Sequence, residues 1–354
     1  MNKKRIVLRS VVLALVLLAM LMGGVVGSPV FGGNGEQGLE RAKEAQERHT
    51  DRLMANPDVV GTAVGKSAAG RPAVLILTKV PGVARLPAEL DGVPVVVKVT
   101  GEIVALPGPL RGKPPKPPKP PGHGGGGDKV DPTSRFDRPV PIGVSTGHPD
   151  ITAGTIGARV KDEEGDVYAL SNNHVYANEN NASIGDNVLQ PGPYDGGIDP
   201  DDAIGTLFDF EPIKFDGSAN TIDAAIALSS GDMLTNTTPS DGYGTPKSAT
   251  AEAVLGQRVQ KYGRTTSLTK GKITQINATV KVGYSSGTAV FVDQIIVESK
   301  KPVIKGGDSG SLLVTDAGRN PVGLLFAGNA NGKLAVANDI DEVLTAFGVT
   351  IDGE

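Results

Sequence analysis

Between Pro107 and Asp131 the chain sets Lys113, Lys116 and Lys119 among proline pairs that end at Pro121, then runs through four glycines at 124–127. Proline removes a backbone donor and fixes φ, so neither a helix nor a central strand can pass through this stretch. It reads as a stiff polyproline II spacer followed by a flexible joint open to proteolysis. A ligand for a proline-binding module is the lesser alternative. Everything that folds must therefore fold on one side or the other. The chain divides into residues 1–27, a small unit at 39–106, a linker at 107–138 and a large unit at 139–354.

At the amino terminus Lys3, Lys4, Arg5 and Arg9 precede an apolar run from Val11 to Met22, and Val25-Val26-Gly27 offers small residues for cleavage. This pattern predicts a secretory signal peptide over residues 1–27 and a secreted, extracellular protein with no stable membrane association after cleavage. The run is short for a spanning helix, which needs about 20 residues, although an uncleaved anchor is the alternative. The sequence contains no cysteine, so an exported protein of this kind must draw its stability from its core rather than from disulfides.

Leu39 to Ala55 is rich in helix formers and predicts one amphipathic helix. Short β-branched runs follow at Val59–Val64, Ala73–Lys79, Val93–Val99 and Ile103–Leu106, with Leu86–Leu90 expected as a helical turn. Together they suffice for a small α+β domain. Residues 28–138 carry 16 basic and 12 acidic groups, against 15 and 27 for residues 139–354, so opposite charge favours association of the two units.

Beyond Arg138 the texture changes to many short strands with frequent Gly, Asn and Asp turns, an all-β composition long enough for two packed barrels or a large sandwich. Near the end, Asp339–Phe347 predicts a helix capped by Asn338 or Asp339 and closed by Gly348. The acidic balance of this unit argues against nucleic acid as a partner.

Within it, Lys305-Gly306-Gly307-Asp308-Ser309-Gly310-Ser311 presents one serine in a glycine-rich turn before Leu312-Leu313-Val314. Flanking glycines permit close approach of a substrate, and the amides of Gly307 and Ser309 can point together at a developing oxyanion. The same four residues also make an ordinary turn, so a base must be found. Of the four histidines, His49 lies in the charged helical run, His123 in the linker and His148 just before Pro149. His174 differs, because it follows the apolar strand Val167–Leu170 where that strand breaks into a loop. A carboxylate buried beside the imidazole would fix its tautomer. Asp223, leading the apolar run Ala224–Leu228, fits best. Asp199, Asp201, Asp202, Asp209 and Asp216 lie in turn-rich sequence and read as exposed.

The order His174, Asp223, Ser309 is that of the chymotrypsin arrangement. Here the sequence resembles the trypsin-like serine proteases, in Leu170–Val175, Ile222–Leu228 and Gly307–Gly310. Val259–Ile273, containing Gly263-Arg264-Thr265-Thr266, is similar to a hairpin of the secreted bacterial α-lytic and streptogrisin-type enzymes. The resemblance covers roughly residues 139–347. Gln260 and Lys270 stand where a cysteine pair usually closes that hairpin, and Ser311 stands where glycine is commoner.

The resemblance implies two packed six-stranded antiparallel β-barrels preceded by the small α+β domain. His174 and Asp223 would come from the first barrel and Ser309 from the second. It implies a primary pocket lined by Val303, Ile304, Phe326, Ala327 and Gly328, favouring small or apolar residues, and a role for residues 39–106 as a pro-region that inhibits until removed. A separate binding or spacer domain is the alternative for that segment.

The expected function is a secreted serine endopeptidase acting on protein or peptide substrates, with no cofactor or metal. A catalytically weak or inactive trypsin-fold binding or adhesive module is the alternative. The carboxylates of Asp195–Asp202 lack the spacing and terminal glutamate of an EF-hand and read as a polar turn. Lys305 can reach a substrate carboxylate but reads as a surface lysine.

Overall fold

The computed structural model describes residues 33–105 and 129–354; the expected signal peptide and most of the linker lie outside the described residues. The small unit holds helix α1 (Gly33–Met54) and strands β1 (Val59–Lys66), β2 (Pro72–Thr78), β3 (Glu89–Leu90), β4 (Val93–Val99) and β5 (Ile103–Ala105). Strands β1, β2, β4 and β3 pair in that order, and α1 covers one face through Ala42, Ala45 and Leu53 against Val64, Val74 and Ile76. Leu86–Leu90 is not a helical turn. Leu86 precedes a proline, which biases it to extended backbone, and Asp91-Gly92 takes positive φ at both residues to turn β3 into β4 as a hairpin.

The large unit begins with β6 (Ser145–Thr146), β7 (Gly154–Thr155), β8 (Ala158–Lys161) and β9 (Val167–Ser171). The single helical turn α2 (Asn173–Tyr176), β10 (Asn187–Leu189), β11 (Ala203–Phe210), β12 (Ala219–Asn220) and β13 (Ala225–Ser229) follow. Then come β14 (Arg258–Gly263), β15 (Ser267–Gly283), β16 (Thr288–Glu298), β17 (Leu312–Thr315), β18 (Pro321–Asn329), β19 (Leu334–Asp339), helix α3 (Ile340–Phe347) and β20 (Thr350–Ile351). The first half is a six-stranded sheet ordered β10-β11-β13-β9-β8-β20, its last strand lent by the carboxyl terminus. In the second half six strands close a ring, because β14 pairs with both β15 and β17, β18 joins β17 to β19, and β16 pairs with both β19 and β15.

Strand alternation explains why these segments are apolar at nearly every position. Leu170, Ile226, Leu312 and Leu324 form a core between the halves, while their neighbours Ala169, Ala225, Leu313 and Leu325 fill the half to which each belongs. Asp339 caps α3 by accepting from the amides of Asp341 and Glu342, and Gly348 closes it at φ 65°. Residues 130–138 belong to the folded body rather than to the linker. The Arg135 guanidinium bonds Asp202 at 2.5 Å, Arg138 donates to Ala203 O, and Phe136 packs on the first core, so the boundary expected at 139 moves towards the amino terminus.

The two units share one sheet. Residues 267–273 of β15 pair with β14, whereas Ile276, Thr279 and Val280 pair with β1; register shifts and a left-handed Asn277 bend the strand between the two tasks. Strand β5 lies antiparallel along Ala327–Asn329 of β18 and beside Gly283 of β15. Polar contacts reinforce the join, including Lys98 with Glu298 at 2.5 Å and Lys281 Nζ donating to Met54 O at 2.6 Å. Among the described residues no helix is long and apolar enough to cross a membrane.

Candidate active site

His174 leaves β9 on the turn α2 rather than on an open loop, and this turn aims its ring at Asp223 in the segment that leads into β13. Nδ1 lies 2.6 Å from Asp223 Oδ2, and the His174 amide donates to Oδ1 at 3.2 Å. Asp223 is fully buried and would be costly there without partners. It has them: Tyr284 Oη donates to Oδ2 at 2.8 Å, the Asp223 amide donates to Asn338 Oδ1, and Asn172 Nδ2 donates to the Asp223 carbonyl. An ionised carboxylate can only accept, so the proton on the facing imidazole edge is assigned to Nδ1. Nε2 is then the acceptor, and it is buried with no hydrogen-bond partner. Burial first, and the Asp223 charge next, raise the Tyr284 hydroxyl well above the ordinary tyrosine range, so it keeps the proton it donates.

The nucleophile turn is built around a second buried carboxylate. Asp308 accepts from the amides of Lys305, Thr265 and Thr266 at 2.9, 2.9 and 3.1 Å and from Thr266 Oγ1 at 2.8 Å. Lys261 Nζ lies 3.1 Å from its Oδ1, with both side chains wholly buried. Burial lowers the Lys261 ammonium from its usual range while the Asp308 charge acts to raise it. A Cβ on Gly263 would stand 2.4 Å from Ser311 Oγ and 2.7 Å from Asp308 Oδ1, so only glycine fits beside this pair.

Two threonines fix the turn from outside. Thr265 Oγ1 donates to Gly306 O at 2.6 Å and Thr155 Oγ1 to Gly307 O at 2.8 Å. Because Gly306 O and the Gly307 N–H belong to one peptide plane, the Thr265 bond also sets the direction of that N–H. Ser309 Oγ donates to Phe326 O at 3.3 Å, and its carbonyl accepts from the Thr155 amide at 2.8 Å. Gly310, at φ 90°, comes so close to β9 that a Cβ there would meet Ser171 Oγ at 2.2 Å. The serine turn is therefore pressed against the end of β9, three residues before His174.

His174 and Asp223 are thus brought together, and Ser309 and Gly307 share the adjoining turn. Val303 and Ile304 put their side chains into the core of the second barrel. Phe326 packs on Phe291 with ring centroids 4.8 Å apart, and Ala327 and Gly328 carry β5 as their neighbouring strand. Lys305 is exposed.

Asp202, expected to be exposed, is buried and bonded to Arg135, because it closes its own loop by accepting from the Ile198 amide. Asp195 is likewise engaged, by Arg264 and by the Ser145 hydroxyl. Among the described residues no cluster of three or more His, Cys, Asp or Glu could hold a metal ion. Sequence reasoning missed Tyr284, Asn338, Thr265 and the pairing of Lys261. A lysine inside the apolar strand β14 was the one available hint of a buried ion pair.

Comparison with known proteins places the sequence likeness among bacterial serine proteases. Residues 245–350 match the family model described as the Nal1 C-terminal domain. Streptogrisin-A of Streptomyces griseus is 37% identical over 102 residues, which are 28% of this chain and 32% of that protein. The chain thus spans about a third of the length of the curated relative it matches. Among solved structures, a glutamic acid-specific serine protease is 23% identical at a TM-score of 0.44, covering 60% of this chain and all of its own. Protease A of Thermobifida fusca is 20% identical, also at a TM-score of 0.44, covering 61% and 100%.

Proposed function

We propose that this chain is an exported serine endopeptidase whose amino-terminal unit restrains it. The observation that carries the reading is the buried His174–Asp223 pair at 2.6 Å, with Nε2 left as an acceptor beside the nucleophile turn. Nε2 takes the Ser309 proton as Oγ attacks the carbonyl carbon of a peptide bond. Negative charge then gathers on the former carbonyl oxygen, where the N–H groups of Gly307 and Ser309 receive it. The imidazolium, stabilised by Asp223, returns the proton to the departing amine and leaves an acyl-enzyme that water hydrolyses by the same steps. Val303, Ile304, Phe326, Ala327 and Gly328 carry no charge, so the pocket they belong to favours small or apolar residues before the scissile bond.

The inhibitory role rests on β5. An extended substrate binds such a cleft by adding a strand to an exposed sheet edge, and on β18 that edge is taken by Ile103–Ala105 of the protein itself. Directly before this paired segment stands Phe326, whose carbonyl accepts the Ser309 hydroxyl.

The test is labelling by a serine-directed phosphonate, before and after cleavage in the linker at 107–128. Label on the cut protein, lost in Ser309→Ala and weaker on the intact chain, is the expected result. Equal labelling of intact and cut protein would remove the inhibitory role and leave the peptidase. Absence of label from both would favour a trypsin-fold binding module.

A further inference from the structure

Asp223 receives three donors, and two of them come from His174 itself. The third, the Tyr284 hydroxyl, comes from the opposite half of the large unit, at the end of the long strand β15. Its placement is heavily constrained. The Tyr284 amide donates to Gly287 O at 2.7 Å, closing the hairpin tip, and Glu179 accepts from the amides of Ser285 and Ser286 and from Ser285 Oγ. Glu179 stands five residues after His174, so the tip is anchored to the segment that carries the imidazole. The ring meets the His174 ring edge-on at 5.9 Å and 71°, and the Phe215 ring at 5.7 Å and 80°.

We infer that Tyr284 is a positioning residue for the proposed reaction: its hydroxyl, delivered across the cleft by the hairpin and braced by Glu179, fixes Asp223 Oδ2 in the orientation that holds His174. This rests on the peptidase reading above. The His174 amide, at 3.2 Å, is a long hydrogen bond, so without Tyr284 the carboxylate would be oriented chiefly by the group it is meant to orient. The hairpin also explains why the device is sensitive to domain docking. Gly283, next to Tyr284, pairs with Val104 of β5, and Val280 pairs with Gly61 of β1.

Tyr284→Phe keeps the ring and removes only the donor. On the form that turns over, kcat should fall about tenfold, the cost of one hydrogen bond to a charged group, with KM changed less than about twofold. A second readout needs no turnover: in the full chain carrying Ser309→Ala, the low-field proton resonance of His174 Nδ1–H should move and exchange faster with water when Tyr284→Phe is added. Unchanged kcat with an unchanged resonance would overturn the inference, as would a rise in KM that accounts for the whole loss, since that describes a substrate contact. If Tyr284→Phe does not fold, Glu179→Ala, which frees the tip, should perturb the same resonance, and no change would be equally fatal. Should the wild type show neither hydrolysis nor labelling while the resonance responds, the peptidase reading fails and the positioning contact stands.

Discussion

The two buried carboxylates of the cleft are satisfied in opposite ways. Asp308 belongs to a local structure: its donors come from its own turn and from the hairpin 261–266, and a buried lysine balances its charge. Asp223 is assembled from far-apart segments, and its side-chain donors are an imidazole and a phenol that can stay neutral. The difference teaches what each is for. A full charge pair with no open position rigidifies a loop and changes little during a reaction. A carboxylate whose charge is not already neutralised keeps its field for the imidazolium that forms beside it.

The largest effect expected from this contrast is catalytic. Ser309→Ala and His174→Ala should each lower peptide hydrolysis by about 10⁴- to 10⁶-fold, with the double variant little worse than either, because such groups act as a unit. Their melting temperatures should stay near that of the wild type. Losses that instead multiplied would break the grouping on the His174 side of the comparison. Lys261→Met should do the reverse, costing about 3–5 kcal/mol of stability by leaving Asp308 as an unbalanced buried charge. Denaturant unfolding checks this, and a cost below about 1 kcal/mol would mean that backbone donors alone satisfy Asp308.

The smallest effect is in pH. Hydrolysis should rise about tenfold per pH unit below the interval in which imidazoles lose their proton, roughly 6 to 7, and level off above it, because the base must be uncharged. A rate that fell across that interval would remove His174 as base and leave the Asp308 side of the comparison intact.

Much of this was legible in the chain because the signals are local. The helix before Val59, the strand Val93–Val99 and the capped terminal helix each follow from residues within a few positions of one another. The turn at Lys305–Ser311 announced itself through its glycines. The misreadings also have local causes. Asp202 looked exposed because its sequence neighbours are polar, while its burial depends on Arg135, 67 residues away. The segment Leu86–Leu90 looked helical until the Asp91-Gly92 hairpin claimed it.

By itself the sequence determined that two units flank a stretch unable to form sheet or helix, that the second is all-β, and that His174, Asp223 and Ser309 stand in a chemically meaningful order. Only the tertiary structure decided that the two units share one sheet through β1 and β15, that β5 lies on β18, and that Tyr284 reaches Asp223 from the far half. The physical reason is that alternation and turn chemistry fix which face of a strand is apolar, whereas which edge pairs with which is settled by backbone hydrogen bonds common to all residues. Those bonds leave no mark in the side-chain pattern, and so the partner of a sheet edge or of a lone hydroxyl appears only when the chain is folded.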